Sequence, residues 1–270
     1  MTAATGFMSE NRPLRAYAWL IIVYLYAPIV ILLAFSFNKS IYIAFPFKAL
    51  TLDWYAKMLA NAGLRQALWN SVLVGITAST LSTIIATLAA KAIARHNVPG
   101  DKAIVSLVSL PMVMPEIILG ISLLVLLFAL GLNLSLLTIV FGHIIICTPY
   151  ALVIMISRFQ GYDPSYEEAS LDLGEGALAT FWRVTLPLVW PGIASSLLLT
   201  FLISFDDFVV TFFVTGTDQT LPIFIWSQLR FPDRLPGVLA LGSLIIIVST
   251  ALLIVVEWLR RRGEGALKTA

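Results

Sequence analysis

The chain has 270 residues, of which 59% are hydrophobic and 12% charged, with a mean hydropathy of +0.94 and a formal net charge of +2. That is more apolar surface than a soluble core of this length can bury, which excludes an ordinary soluble domain and makes lipid the expected solvent. The single cysteine, Cys147, excludes an internal disulfide framework and a cysteine-rich metal site, and nothing in so small a net charge points to a nucleic-acid partner.

Six apolar runs follow one another, near 14–37, 68–94, 103–130, 135–157, 188–214 and 237–259. Each exceeds the ~20 helical residues that cross a hydrocarbon core, where backbone groups must be paired within the segment. The expectation is an all-α integral membrane protein of six transmembrane helices, with no soluble domain and no internal repeat. The first run is too long for a signal-peptide core and lacks a small-residue cleavage site, so it is read as a retained span. Between the first two runs, Thr51 and Asp53 offer caps, and Trp54, Tyr55, Met58, Leu59 and Leu64 suggest a short helix at the interface.

The third run carries Pro111-Met112-Val113-Met114-Pro115-Glu116, an acid behind two prolines that can loosen a helix and free carbonyls to line a cavity. In the fourth run His143 is read as a satisfied polar residue at a helix contact, and Lys91, in the second, as a side chain that snorkels to the inner surface. The segment 163–187 then interrupts the apolar pattern. Asp163-Pro164 and Ser165-Tyr166-Glu167-Glu168 predict a helix start, Gly174 and Gly176 a turn, and Leu178–Val184 a second short helix, with a boundary at Pro187 before the next span. Its apolar residues Leu178, Phe181 and Trp182 exceed what a solvated elbow needs, which suggests a partner on that face. The fifth run holds Phe205-Asp206-Asp207-Phe208, and carboxylates within an apolar run are functional candidates because ionising them there is costly.

Charge sets the expected topology. With both termini inside, the inner segments hold Arg12, Arg15, Lys91, Arg95, Lys102, Arg158, Arg183, Arg260, Arg261, Arg262 and Lys268, eleven cations, against six outside, Lys39, Lys48, Lys57, Arg65, Arg230 and Arg234. This favours cytoplasmic termini. No G-x-x-x-x-G-K-[ST] sequence, and no Gly-Lys pair, offers a cradle for nucleotide phosphates.

The elbow resembles a known family. Glu168-Ala169-Ser170, then three residues, Gly174, nine residues, and Val184-Thr185-Leu186-Pro187 match the EAA loop, E-A-A-x3-G-x9-I-x-L-P, of ABC importer permeases, with Ser170 for alanine and Val184 for isoleucine. The resemblance implies the type I (MetI-like) permease fold, with Glu168, Ala169, Ser170, Gly174, Val184, Leu186 and Pro187 docking on an ATPase. It further implies a bacterial inner-membrane location, a second homologous permease, two copies of a cytoplasmic ATPase that binds ATP and Mg, and a periplasmic or lipid-anchored solute-binding protein. No cofactor and no catalytic residue belong to this chain in that scheme.

A wider pattern, Leu50-Thr51-Leu52-Asp53-Trp54-Tyr55, Met114-Pro115-Glu116-Ile117-Ile118-Leu119-Gly120, and Ser204-Phe205-Asp206-Asp207-Phe208 with Thr220-Leu221-Pro222, looks like the spermidine/putrescine permeases of the PotC and PotI type. What this implies is a polyamine cargo, with Glu116, Asp206 and Asp207 on the pathway beside Phe205 and Phe208, through ion pairing and cation–π contact. Relatives of that branch carry other organic solutes or ferric ions. A secondary transporter would also place acids in its spans, but it needs no EAA elbow. An intramembrane hydrolase would need converging groups, whereas adjacent Asp206 and Asp207 on one helix diverge by about 100°.

Overall fold

A computed structural model describes residues 12–95 and 98–247, together with residue 250. Among these the chain is built from helices, and the one β feature is an isolated antiparallel bridge between Asn38 and Leu50. Among the described residues, four helices are long and apolar enough to cross a membrane: Leu14–Ser36, Ala62–Arg95, Leu136–Gln160 and Ala177–Asp206. The chain divides into two compact units, one of residues 1–61 and 225–270, the other of residues 62–224.

In the first unit, helix α1 (Arg12–Ser36) leaves nearly all of its apolar surface uncovered, as a helix meeting lipid does. After the bridge comes α2 (Asp53–Leu59), where the expected short helix lies. The Thr51 hydroxyl oxygen accepts the Asp53 N–H at 3.1 Å. Phe35, Phe45 and Phe47 form an aromatic cluster with ring centroids about 5 Å apart. The sixth run begins as a helix at 235 and is followed to 247; residues 248–249 and 251–259 of that run, and the cations beyond it, lie outside the described residues.

The second unit is organised around three long helices, α3 (Ala62–Arg95), α7 (Leu136–Gln160) and α9 (Ala177–Asp206). Helix α3 buries a stripe of small residues, Ala67, Ser71, Gly75, Ala78, Ser82, Ala86 and Ala90. Such a stripe lets helices approach closely where lipid removes any hydrophobic drive to associate. A Cβ on Gly75 would lie 2.8 Å from the Phe201 ring of α9, and Thr83 and Ser196 share a buried hydroxyl contact at 3.0 Å.

Two apolar runs expected as single helices are divided. In the third, α4 (Asp101–Val108) and α5 (Leu110–Val113) precede α6 (Glu116–Ala129). Met114 is extended, at ψ 141°, because a residue before proline is driven out of the α region. In the fifth, α9 stops at Asp206, Asp207 is extended at ψ 122°, and α10 (Val209–Val214) follows. The inter-segment helix α8 (Ser165–Asp172) and the short α11 (Leu221–Leu229) complete the order.

Candidate functional site

The elbow begins where Asp163 accepts the Ser165 N–H at 2.9 Å, which makes Asp163 the capping group; the capping box expected between Ser165 and Glu168 does not form. Helix α8 ends in a Schellman motif. The Glu175 N–H reaches the Ser170 carbonyl, the Gly174 N–H reaches that of Leu171, and Gly174 sits at φ +89°, a region only glycine enters without strain. Ser170 and Thr180 then join the two arms through their hydroxyls at 3.0 Å.

The second arm departs from expectation. There is no separate helix ending near Val184 and no boundary at Pro187: residues 177–206 form one helix, with a π-helical stretch over Phe181–Thr185. Pro187 lacks the N–H that would bond back to residue 183, and the wider π turn accommodates the mismatch inside a continuous rod, which then carries Pro191 within its α-helical part. The Leu188 carbonyl accepts bonds from Nε (3.0 Å) and a terminal nitrogen (2.5 Å) of Arg158. Gly192 makes room for that side chain, since a Cβ there would lie 2.7 Å from Arg158 Cγ.

Glu167, one residue ahead of the motif, holds the elbow to the helices. It accepts hydroxyl bonds from Tyr162 and Thr185, each at 2.5 Å, and pairs with Arg95 at 3.7 Å. Arg95 also donates to the carbonyls of Phe159 (3.0 Å) and Tyr162 (3.3 Å) and lies over the Tyr162 ring. Burial pushes the Glu167 carboxyl up, but bonds from Thr185 and Tyr162 and the charges of Lys91 and Arg95 outweigh it and hold it below its ordinary value. Burial and the Glu167 carboxylate raise the Tyr162 phenol. Lys91 has its ammonium 4.6 Å above the Phe181 ring centroid. Glu168 and Ala169 of the motif are exposed, as are Leu173, Leu178 and Trp182. Val184 and Leu186 are half-buried and Pro187 is exposed.

The second candidate region lies at the break in the fifth run. A cavity of about 360 Å³ is lined by Pro111 and Glu116, by Ile146 and Tyr150 of α7, and by Ile203, Asp206, Asp207, Phe208 and Val209. The two divided runs thus bring Glu116, Asp206, Asp207 and Phe208 to one place. Phe205 does not line it and stacks on Phe201, with centroids 5.6 Å apart. The two aspartates are not successive residues of one helix, as their expected 100° divergence assumed. Asp206 ends α9 and is exposed, while the Asp207 side chain is 5% exposed and turned inward.

The family model described as "Binding-protein-dependent transport system inner membrane component" matches residues 82–264. The chain belongs to this permease family. It is 35% identical over 251 residues to the spermidine/putrescine transport system permease PotC of Haemophilus influenzae, covering 93% of this chain and 97% of the relative. It is 34% identical to the PotC of Escherichia coli K12 (89% and 91% covered) and 34% identical to the putrescine permease PotI of the same strain (88% and 89%). Among solved structures, it resembles a bacterial ABC transporter that imports the acidic polysaccharide alginate, with a TM-score of 0.67 over 90% of this chain and 97% of that one. At 17% identity that likeness is one of permease fold.

The permease also contains functional candidates that the motif reading passed over. Glu167, Arg95, Tyr162 and Thr185 form the elbow's anchor, and His143, Ser204 and Thr211 surround Asp207. The local signal at Asp207 is an aspartate immediately ahead of a short apolar stretch, an N-cap pattern that the longer apolar run around it masks.

Proposed function

We propose that this permease forms part of the membrane pathway of an ATP-driven polyamine importer. In this reading six spans place both termini in the cytoplasm of a bacterial inner membrane. A second, homologous permease completes the pathway, two ATPase subunits dock at the elbow through Glu168, Ala169, Ser170, Gly174, Val184, Leu186 and Pro187, and a solute-binding protein delivers the cargo. Relatives over 30% identical along nearly the whole chain are spermidine/putrescine permeases, and this observation carries the reading. The cavity supports it independently, since Glu116 and Asp206 open into one space beside Tyr150 and Phe208.

The chemistry matches the cargo. A polyamine is a flexible chain of ammonium groups separated by methylenes, and its passage through a region of low dielectric is eased by carboxylates that replace water around each charge. Ring faces such as Phe208 suit the alkyl stretches and the ammonium groups alike. Asp207 has a different task here, because its oxygens are occupied by its own protein.

The test is uptake of labelled spermidine or putrescine into proteoliposomes holding the whole complex and its binding protein. Glu116→Gln combined with Asp206→Asn keeps the shape of the site and removes two charges. The expected result is uptake lowered by roughly ten-fold, or ~1.4 kcal/mol, with the complex assembled and its basal ATP hydrolysis retained. Unchanged uptake in the double variant removes these acids from the pathway. No uptake of any polyamine by the unmodified complex moves the cargo to another small solute.

A further inference from the structure

The fifth run changes from one helix to another at Ser204-Phe205-Asp206-Asp207-Phe208-Val209, with neither proline nor glycine at the break. Something other than backbone chemistry must therefore fix it. The N-terminal amides of α10 are met by Asp207, which accepts the Thr211 N–H at 2.8 Å on Oδ2 and the Val210 N–H at 3.4 Å on Oδ1. The Thr211 hydroxyl donates to the same Oδ2 at 2.8 Å.

His143 of α7 spans the break from the side. Its Nδ1 is 2.6 Å from the Ser204 hydroxyl, on α9, and its Nε2 is 2.8 Å from the Thr211 hydroxyl, on α10, and 3.3 Å from Asp207 Oδ2. The only hydroxyl proton of Thr211 is committed to Asp207, so Thr211 can only accept from the ring, and Nε2 must carry a hydrogen. Nδ1 meets the Ser204 hydroxyl, so hydrogen bonds link Ser204 through His143 and Thr211 to Asp207. The imidazole is 1% exposed and shares its face of α7 with the buried Ile139, Ile146 and Cys147, and the neighbouring Gly142 brings α7 close to Val210. In such surroundings an unmade bond is costly, and a fully satisfied network holds one arrangement.

Helix α9 is held at both ends by polar networks: Thr185 near its start binds Glu167 of the elbow, and Ser204 near its end binds His143. Its 30 residues make a rod of roughly 45 Å. We propose that His143 is a positioning residue that joins the two halves of the broken fifth run, so that a displacement of α9 begun at the elbow is carried into α10 and the cavity wall instead of being absorbed at Asp207–Phe208. The proposal rests on the reading of this chain as an importer permease but not on the identity of its solute.

The experiment uses the whole complex. His143→Phe keeps the ring and removes both nitrogens; Thr211→Val keeps the shape and removes the hydroxyl; Thr211→Ser keeps the hydroxyl. In proteoliposomes the first two should raise the ATP hydrolysed per solute imported at least five-fold, leave the half-saturating concentration of loaded binding protein unchanged, and be matched by near-normal coupling in Thr211→Ser. Spin labels at Leu198→Cys and Phe212→Cys, two exposed positions on either side of the break, should give a narrow distance distribution that broadens in the Thr211→Val background. Normal coupling and an unchanged distribution in assembled variants overturn the proposal. So does an uptake loss that follows the amount of assembled complex while the coupling ratio stays constant. The distance measurement needs no solute, so failure of polyamine uptake by the unmodified complex falls on the proposed cargo alone.

Discussion

A carboxylate stands at each end of α9, Glu167 of α8 against its start and Asp207 just past its last residue, and the two are held differently. Glu167 at the elbow is met by two hydroxyls and by the cations Arg95 and Lys91, and its side chain is 12% exposed. Asp207 at the break is met by two backbone amides, one hydroxyl and an imidazole, at 5% exposure. The first arrangement balances charge with charge near an edge that a partner can approach, where water and salt moderate each contribution. The second balances charge with oriented dipoles in an apolar setting, where an unmade bond is costly. A motion driven through α9 therefore starts at an adjustable joint and ends at a stiff one.

The largest effect that separates the two ends should come from Asp207→Leu. It strips the acceptor from the Thr211 N–H and the Thr211 hydroxyl, and each buried donor left unpaired costs ~1–3 kcal/mol. The assembled complex should fall to a small fraction of the normal amount and lose thermal resistance. Asp206→Asn, one residue away but exposed to the cavity, should leave assembly intact and lower only uptake. Equal loss of assembly in both variants would break the distinction between the two aspartates.

A smaller effect is expected at the elbow. Glu167→Gln can still accept from Thr185 or Tyr162 but leaves Arg95, itself only 13% exposed, without its anionic partner. The cost is about 1–3 kcal/mol after allowance for the open edge. The complex should assemble, and stimulation of its ATPase by loaded binding protein should drop several-fold. Gly174→Val acts on the same joint through the backbone alone: no atom would obstruct the added Cβ, but φ +89° costs a β-branched residue ~1–2 kcal/mol or more. Gly174→Asn should recover much of the coupling lost by valine. If asparagine and valine uncouple equally, the left-handed turn is not what the position requires.

These residues also mark how far the sequence could be read. The helical class, the elbow and its Gly174 turn were legible because they depend on local chemistry: run length, a cap, and a glycine at a left-handed position. The continuity of 177–206 was not, since Pro187 reads as a boundary, and only tertiary support such as Arg158 on the Leu188 carbonyl shows how a helix passes through it. The division at Met114-Pro115 was half legible, because proline signals a weak point but not whether packing will span it. Glu116 and Asp206 could be named as acids within apolar runs; that they face one cavity is a property of two breaks in different helices, which no local pattern encodes. The anchor at Glu167 joins Arg95 to residues 67 to 90 positions away, and no local pattern encodes it for the same reason.

The smallest effect concerns pH, and its sign follows from the elbow's carboxylate. Glu167 is held below its ordinary value near 4.5, so the stabilisation it gives is complete above that value and is lost only as pH falls through the lower, folded one. Tyr162 is displaced the other way: its phenol is raised above 10, so its contribution is complete below that value and is lost only as pH rises through the higher one. Between about pH 5 and 9 neither group changes charge, and the joint should be insensitive to pH throughout the range in which a cell works. Thermal stability of the purified complex, compared between the unmodified chain and Glu167→Gln, isolates this contribution. The difference between the two should be constant across pH 5 to 9 and should narrow below pH 4.5, as protonation makes the glutamate resemble the amide. A difference that instead narrows between pH 6 and 7 would mean that a group with a histidine-like titration governs the elbow, and would place the adjustable joint somewhere other than Glu167.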